Sequence, residues 1–203
     1  MEIESGKTRI LRVAEDLFLE KGFEGTSMNE IAEKAGVAKS LIYHHFESKK
    51  SLWQALIHDY HDRSGMLEKF YDTISADDPD TLIQMVTGKN GFFDFFRRNP
   101  SMVRLFSWLD LETAFVPDYP EESIKQKAIE RIRTLQEDGW IRPDIEPGLI
   151  PIMFLSVIQH WFAARRYLVA WLGDGIPEDE LDDMFIGGIT KIIIRGITND
   201  AKS

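Results

Sequence analysis

The sequence predicts an all-α chain with about nine helices in all, and three observations carry that prediction. Apolar residues recur at three- and four-residue spacings through most of the chain, capping residues and glycines punctuate those runs, and no useful length alternates with strand period. Repeats and low-complexity tracts are absent from the sequence.

The first helix is expected over residues 5–21, where Ile10, Val13, Ala14, Leu17 and Phe18 share one face. Gly22 ends it, and Phe23 packs back as an anchor. Ser27 caps the second helix, and Glu30 three residues on completes a capping box. Met28, Ile31, Ala32 and Ala35 form its apolar face, with Ala32 small enough for a close crossing. Gly36 stands where the following turn needs a left-handed backbone. The third helix runs to about residue 45, with Val37, Ile42 and Phe46 closing the core and Lys39, Ser40, Tyr43 and His44 turned outward. A short helix with a polar face, set by a tight turn against another, is the helix-turn-helix arrangement that enters a DNA major groove.

A long fourth helix is expected from after Ser48 to about residue 73, and the polar SADDPD break at residues 75–80 marks the domain boundary. Residues 81–98 read as one helix, stopped at Asn99 and Pro100 and restarted over residues 101–111. Residues 116–120 form a loop, residues 121–138 an amphipathic helix ending at Gly139, and residues 149–172 and 178–199 the last two helices.

The segment RILRVAEDLFLEKGFEGTSMNEIAEKAGVAKSLIYHHFESKKSLW, residues 9–53, resembles the DNA-binding domain of TetR-type transcriptional regulators nearly position for position. IAEKAGV, a Tyr two residues before His-Phe, and then Ser-Lys-x-x-Leu are the specific elements. Beyond about residue 60 the resemblance is architectural. It implies an N-terminal three-helix helix-turn-helix domain over residues 5–66, with the motif at about 29–48, and a C-terminal helical ligand-binding and dimerisation domain over residues 75–200.

Composition is compatible with this. The chain has 203 residues and no cysteine, which removes disulfides, thiolate metal sites and a cysteine nucleophile. The N-terminal MEIESGKTRILR has no apolar run, so neither a signal peptide nor an anchor is expected and the location is cytoplasmic. Net charge is -10, of which residues 1–60 carry -2. Between Lys34 and Lys50, four lysines face the single acid Glu47, a local +3 on an acidic body. That pattern fits one oriented DNA contact and not general coating of nucleic acid.

Lys49 and Lys50 follow the Ser48 cap, where cations oppose the helix dipole. A phosphate at that helix start would favour them; the alternative is two solvated lysines. Thr26 and Ser27 offer hydroxyls and free N–H groups for another phosphate. The resemblance implies that Tyr43 donates to a phosphate, with packing against helix four as the other reading. Lys39 and Ser40 are the candidates for base edges, Lys39 toward guanine O6 and N7. Leu41 replaces a small hydroxyl residue frequent in the family and suits a thymine methyl. His44 faces the DNA, and His45 combines helix packing with a phosphate contact.

Residues 149–172 are apolar around most of the helix, but Pro151, Gln159, His160, Arg165 and Arg166 make a membrane span costly. Together with the last helix they predict a four-helix homodimer interface through Trp161, Phe185, Ile189 and Ile193, which also gives two recognition helices their two-fold axis. Phe96, Arg104, Trp108, Gln159 and Phe162, from an aromatic-rich set with three polar groups including His160, are the candidate ligand residues. Each aromatic has core packing as its alternative. A small apolar or aromatic inducer would suit them.

No catalytic residue, cofactor or metal is expected. His58 and His61 at i, i+3 give the competing reading, a helical metal-binding or hydrolytic protein that also uses His160, but HExxH-like support is missing. The leading expectation is a ligand-responsive DNA-binding regulator, most simply a repressor released from operator DNA by its inducer.

Overall fold

The computed structural model describes residues 5–64, 80–88, 91–112, 122–173 and 175–198. These form α1 (Gly6–Lys21), α2 (Met28–Ala35), α3 (Lys39–His45), α4 (Lys49–Ser64), α5 (Asp80–Thr87), α6 (Phe92–Arg98), α7 (Pro100–Leu111), α8 (Glu122–Glu137), α9 (Leu149–Leu168) and α10 (Glu178–Ile197). A 3-10 turn, Val169–Trp171, extends α9. Among the described residues the only β pairing is an isolated bridge between Ile141 and Thr198.

Local chemistry explains most boundaries. Ser5 caps α1 by accepting from the Thr8 N–H, and Gly22 closes it with φ 75° and its N–H on the Phe18 carbonyl. Phe23 stacks on Phe18, ring centroids 5.9 Å apart. Asn99 ends α6 through backbone bonds to Phe95 and Phe96, and Pro100 opens α7 where its missing N–H costs nothing. The helix expected over residues 81–98 is instead two. The Gly88 N–H closes α5 on the Gln84 carbonyl, and Gly91 caps α6; glycines here lower the propensity to continue the helix. The expected extension of α4 to residue 73, most of the break at residues 75–80 with its domain boundary, and the loop at residues 116–120 lie outside the described residues.

The helices fall into two compact units. The first holds α1 to α4 together with α7, and the second holds α5, α6 and α8 to α10. Thus α7, expected in the second domain, groups with the first, because its buried Met102, Leu105 and Phe106 join the core built by Ile10, Leu17, Phe18, Ile31, Ile42 and Leu52. Phe106 meets Trp53 edge-on, centroids 5.9 Å apart.

In the second unit α9 buries Ile150, Phe154, Ile158, Trp161 and Ala164. Trp161 is only 4% exposed within the protomer and stacks on Phe185, centroids 4.0 Å and planes 7° apart. These two residues, expected at a dimer interface, therefore pack α9 on α10 inside one chain. Their seam is fixed by a buried carboxylate. Asp182 accepts from the Trp161 indole N–H at 2.7 Å and from Arg165 Nη1 at 2.8 and 2.7 Å, and Arg97 Nε stands 3.5 Å away. Arg165 continues to Glu178 at 2.7 Å.

Removing that carboxylate leaves the Trp161 indole N–H without its acceptor and the Arg165 guanidinium with Glu178 alone, while Arg97 keeps Asp183 at 2.6 Å. Asp182→Ala should therefore destabilise the protein by about 3 kcal/mol, the lower end for a broken buried pair because both arginines retain some solvent. Urea denaturation reads this directly; an unchanged midpoint would mean that the network contributes nothing.

Candidate nucleic-acid interface

The turn between α2 and α3 forms as its sequence requires. Gly36 adopts φ 62°, ψ 38°, and its N–H bonds back to the Ala32 and Glu33 carbonyls while Val37 N–H reaches Ala32. The short α3 buries only Ile42, which is fully enclosed. Lys39, Ser40, Tyr43, His44 and His45 are all exposed, so one helix face presents amine, hydroxyl, phenol and imidazoles. Lys39 Nζ lies 5.7 Å from the Tyr43 ring centre, a cation–π approach that keeps both heads on that face. Leu41 is half-buried, with its Cδ2 only 3.2 Å from where a Cβ on Gly6 would stand. Its side chain thus packs toward α1 as well as bordering the polar face.

At the start of α2, Ser27 Oγ accepts from the Glu30 N–H at 3.1 Å. The reciprocal half of the expected capping box is not made. Glu30 instead pairs with Lys21 at 2.5 Å and Lys34 at 3.6 Å, and the Lys21 hydrogen bond holds its carboxyl below the usual range. Lys34 is thereby drawn into the surface of α1 and α2 and contributes less to a free positive face. Thr26 is 1% exposed and donates its hydroxyl to the Gly22 carbonyl at 2.8 Å, so the expected side-chain contact from Thr26 to a phosphate is replaced by an internal bond.

Lys49 is likewise engaged. Ser48 caps α4, as expected, by accepting from Ser51 N–H at 3.0 Å. The half-buried Lys49 side chain then turns back to donate to the Phe23 carbonyl at 2.6 Å and the Thr26 carbonyl at 2.8 Å, 4.4 Å above the Phe23 ring. Burial lowers its pKa, with the Glu112 and Glu24 carboxylates partly opposing that shift. An ammonium has three N–H donors, so one remains beyond these two bonds.

Two expected ligand residues occur in this same unit. Arg104 Nε donates to the Leu19 carbonyl at 2.8 Å and Trp108 Nε1 to the same oxygen at 3.2 Å. They satisfy one of the carbonyls left open at the end of α1, which is why polar heads occur on an otherwise apolar helix. One turn further, Glu112 accepts from the N–H groups of Phe23 at 2.9 Å and Glu24 at 3.1 Å. Sequence reading missed Glu112; only its four-residue spacing from Arg104 and Trp108 hinted at it. Phe96, Gln159 and Phe162 belong to the second unit, where Phe96 is buried, Gln159 half-buried, and Phe162 lies 4.9 Å from Phe93. The five expected ligand residues are therefore divided between the two units.

The histidines of the competing reading are also divided. His61 is 6% exposed on α4 in the first unit, whereas His160 is exposed on α9 in the second. Among the described residues no three His, Cys, Asp or Glu side chains gather to hold a metal.

Comparisons with known proteins agree with the geometry. Residues 10–56 match the family of bacterial regulatory proteins of the tetR family, and residues 89–175 match the tetracyclin repressor-like C-terminal domain. The chain belongs to the TetR family of transcriptional regulators. It is 28% identical over 196 residues to the HTH-type transcriptional regulator YvkB of Bacillus subtilis, covering 95% of this chain and 97% of that one. It is 25% identical over 201 residues to the HTH-type transcriptional repressor KstR2 of Mycolicibacterium smegmatis, covering 96% and 91%. Its fold resembles NalD, the secondary repressor of the MexAB-OprM multidrug efflux pump in Pseudomonas aeruginosa, at TM-score 0.70 and 20% identity over 96% of this chain and 98% of that one. This TetR-family protein is a DNA-binding transcriptional regulator.

Within its DNA-binding unit, burial lowers the His61 pKa to about 4, aided by the neighbouring His58. The folded protein thus holds His61 neutral where an unfolded chain, titrating near its ordinary value, binds a proton. Stability from this site is complete above about pH 6.5 and falls as pH drops toward 4, by about 3 kcal/mol in all. His61→Leu should flatten the pH dependence of unfolding between those limits. An identical slope in both proteins would show that His61 is solvated and titrates normally.

Proposed function

We propose that this regulator is a ligand-responsive homodimeric repressor, without enzymatic activity, that works in the cytoplasm. The observation that carries the reading is the exposed face of α3, set at a fixed angle by the left-handed Gly36 turn. Lys39 and Ser40 read base edges. Tyr43, the first turn of α2 beyond Ser27, and the start of α4 at Lys49 hold the DNA backbone; the free Lys49 N–H and the α4 backbone serve the latter contact. His44 and His45 flank the groove, and Leu41 borders a thymine methyl.

A repressor of this type needs two such heads spaced by one DNA turn, hence a two-fold axis. The support for a dimer is an exposed apolar stripe on each of the last two helices. On α9 it runs through Ile152 and Tyr167, and on α10 through Met184 and Ile192, the last 71% exposed. Ile189 and Ile193 are half-buried beside it. These stripes form the four-helix interface; on α9 the stripe begins at Ile152 on the side opposite Trp161, and on α10 Phe185 lies on the same face as Ile192, seven residues before it. No helix among the described residues is long and apolar enough to cross a membrane.

The inducer is a small apolar or aromatic compound taken up by the second unit near Phe96, Gln159 and Phe162. It binds better to a conformation in which the two recognition helices no longer match successive grooves, and operator affinity falls by population shift. Selection of bound fragments from the genome, followed by release with candidate compounds, tests the whole reading. A protein that enriches no sequence would end it.

Two substitutions separate its parts. Lys39→Ala should relax preference at one position of each half-site by about 1–3 kcal/mol; identical selected operators from mutant and parent would remove Lys39 from the base readers. Ile192→Glu should convert the dimer to monomers in light scattering and abolish tight operator binding, because a charge would enter a dry interface. A stable dimer would place the interface elsewhere.

A further inference from the structure

The segment at residues 22–27 ends at the cap of α2, so its position decides where the first turn of that helix stands. Helix α7 and the residue that ends it reach this segment with three side chains at four-residue spacing. Arg104 and Trp108 bind the Leu19 carbonyl just ahead of it, and Glu112 accepts the two consecutive N–H groups of Phe23 and Glu24. Gly22 lets the carboxylate in: a Cβ there would come within 2.1 Å of Glu112 Oε1 and 2.8 Å of the Trp108 ring.

We propose that Glu112 is a positioning residue for DNA binding, holding residues 22–27 so that the first turn of α2 meets the DNA backbone. The inference rests on the reading above that this turn contacts phosphate. Glu112 itself makes no DNA contact in this account, and its negative charge would oppose one. Two hydrogen bonds from neutral N–H groups to a carboxylate are individually stronger than neutral ones, and both act on adjacent peptide units, so they fix translation and tilt together. Lys49 holds the same segment from its carbonyl side, leaving Glu112 as the contact supplied by α7.

Glu112→Gln keeps the shape and one carbonyl acceptor but loses the charge. The probes are a duplex recovered by genomic selection with the unaltered protein and a mixed-sequence duplex at low salt. Glu112→Gln should weaken both by about tenfold, with a salt slope shallower by about one unit and base preferences unchanged. Glu112→Asp, which retains the charge, should recover part of the affinity. Amide exchange at Phe23 and Glu24 should accelerate in Glu112→Gln while the melting temperature stays well above that of the assay. If affinity and salt slope are unchanged and only the melting temperature falls, Glu112 is a stability contact and the proposal is overturned. Ser27→Ala separates the two levels. Where it lowers the salt slope and Glu112→Gln does not, the positioning role alone fails. Where the unaltered protein binds neither duplex, or Ser27→Ala leaves the slope intact, the underlying phosphate reading fails and the proposal falls with it.

Discussion

Residues 22–27 carry the chain from α1 into α2 without regular structure of their own, and their peptide groups must still find partners where water is partly excluded. The Lys49 ammonium takes the Phe23 and Thr26 carbonyls, the Thr26 hydroxyl takes that of Gly22, and Glu112 takes the N–H groups of Phe23 and Glu24. The Lys49 and Glu112 bonds tie the segment to two distant parts of the sequence, and the Thr26 bond closes it on itself. Because Lys49 opens α4 and α3 lies between α2 and α4 in the chain, the same bonds limit how α3 can be presented. Moving Lys49 away would strand two carbonyls, at roughly 1–3 kcal/mol for each left unsatisfied. The lowered pKa of Lys49 records the opposing desolvation cost, which the Glu112 and Glu24 carboxylates partly offset.

The second unit solves a related problem with one carboxylate. Helix α9 is apolar around nearly its whole circumference, so hydrophobic burial alone would leave its rotation against α10 poorly specified. Asp182 removes that freedom because it bonds the Trp161 indole and the Arg165 guanidinium together. With Trp161 stacked on Phe185, one face of α9 is committed to the protomer, and the face with Ile152 and Tyr167 is turned outward. A buried ion pair is a poor source of net stability but a good source of orientation, which is the role it plays here.

What could be read from the sequence follows the range of the interactions. The caps at Ser27 and Ser48, the glycines at 22 and 36, and the Asn99 and Pro100 punctuation act within four residues, and each is where local reasoning placed it; the cap at Ser5 is the structure's addition. Glu30 departs from its local role because two lysines, Lys21 and Lys34, compete for its carboxylate. The exposed face of α3 was legible because a helix of seven residues with one buried side chain leaves little choice. Trp161 and Phe185, expected at a dimer interface, stack on each other within the protomer, because on a segment apolar all round period cannot choose a face. Arg104 and Trp108 looked like ligand groups for a related reason. A polar head on an apolar helix signals a buried acceptor, but nothing local says that the acceptor is the Leu19 carbonyl, 85 residues earlier in the case of Arg104.

Helix α7 begins where a stretch of the second unit ends along the chain. Its neighbour in the chain, α6, belongs to the second unit, and Asn99 alone separates the two helices. Asn99 is tethered by its own N–H to Phe95 and Phe96 and by its side-chain amide to the Phe95 carbonyl at 2.8 Å, while Pro100 fixes the next φ. These bonds fix the local backbone where α6 ends. Within the first unit, the stripe of Arg104, Trp108 and Glu112 holds the end of α1 and the segment that leads into α2. The stripe spans two turns of α7 and the capping residue that follows it, so even a small rotation of that helix changes all three contacts together.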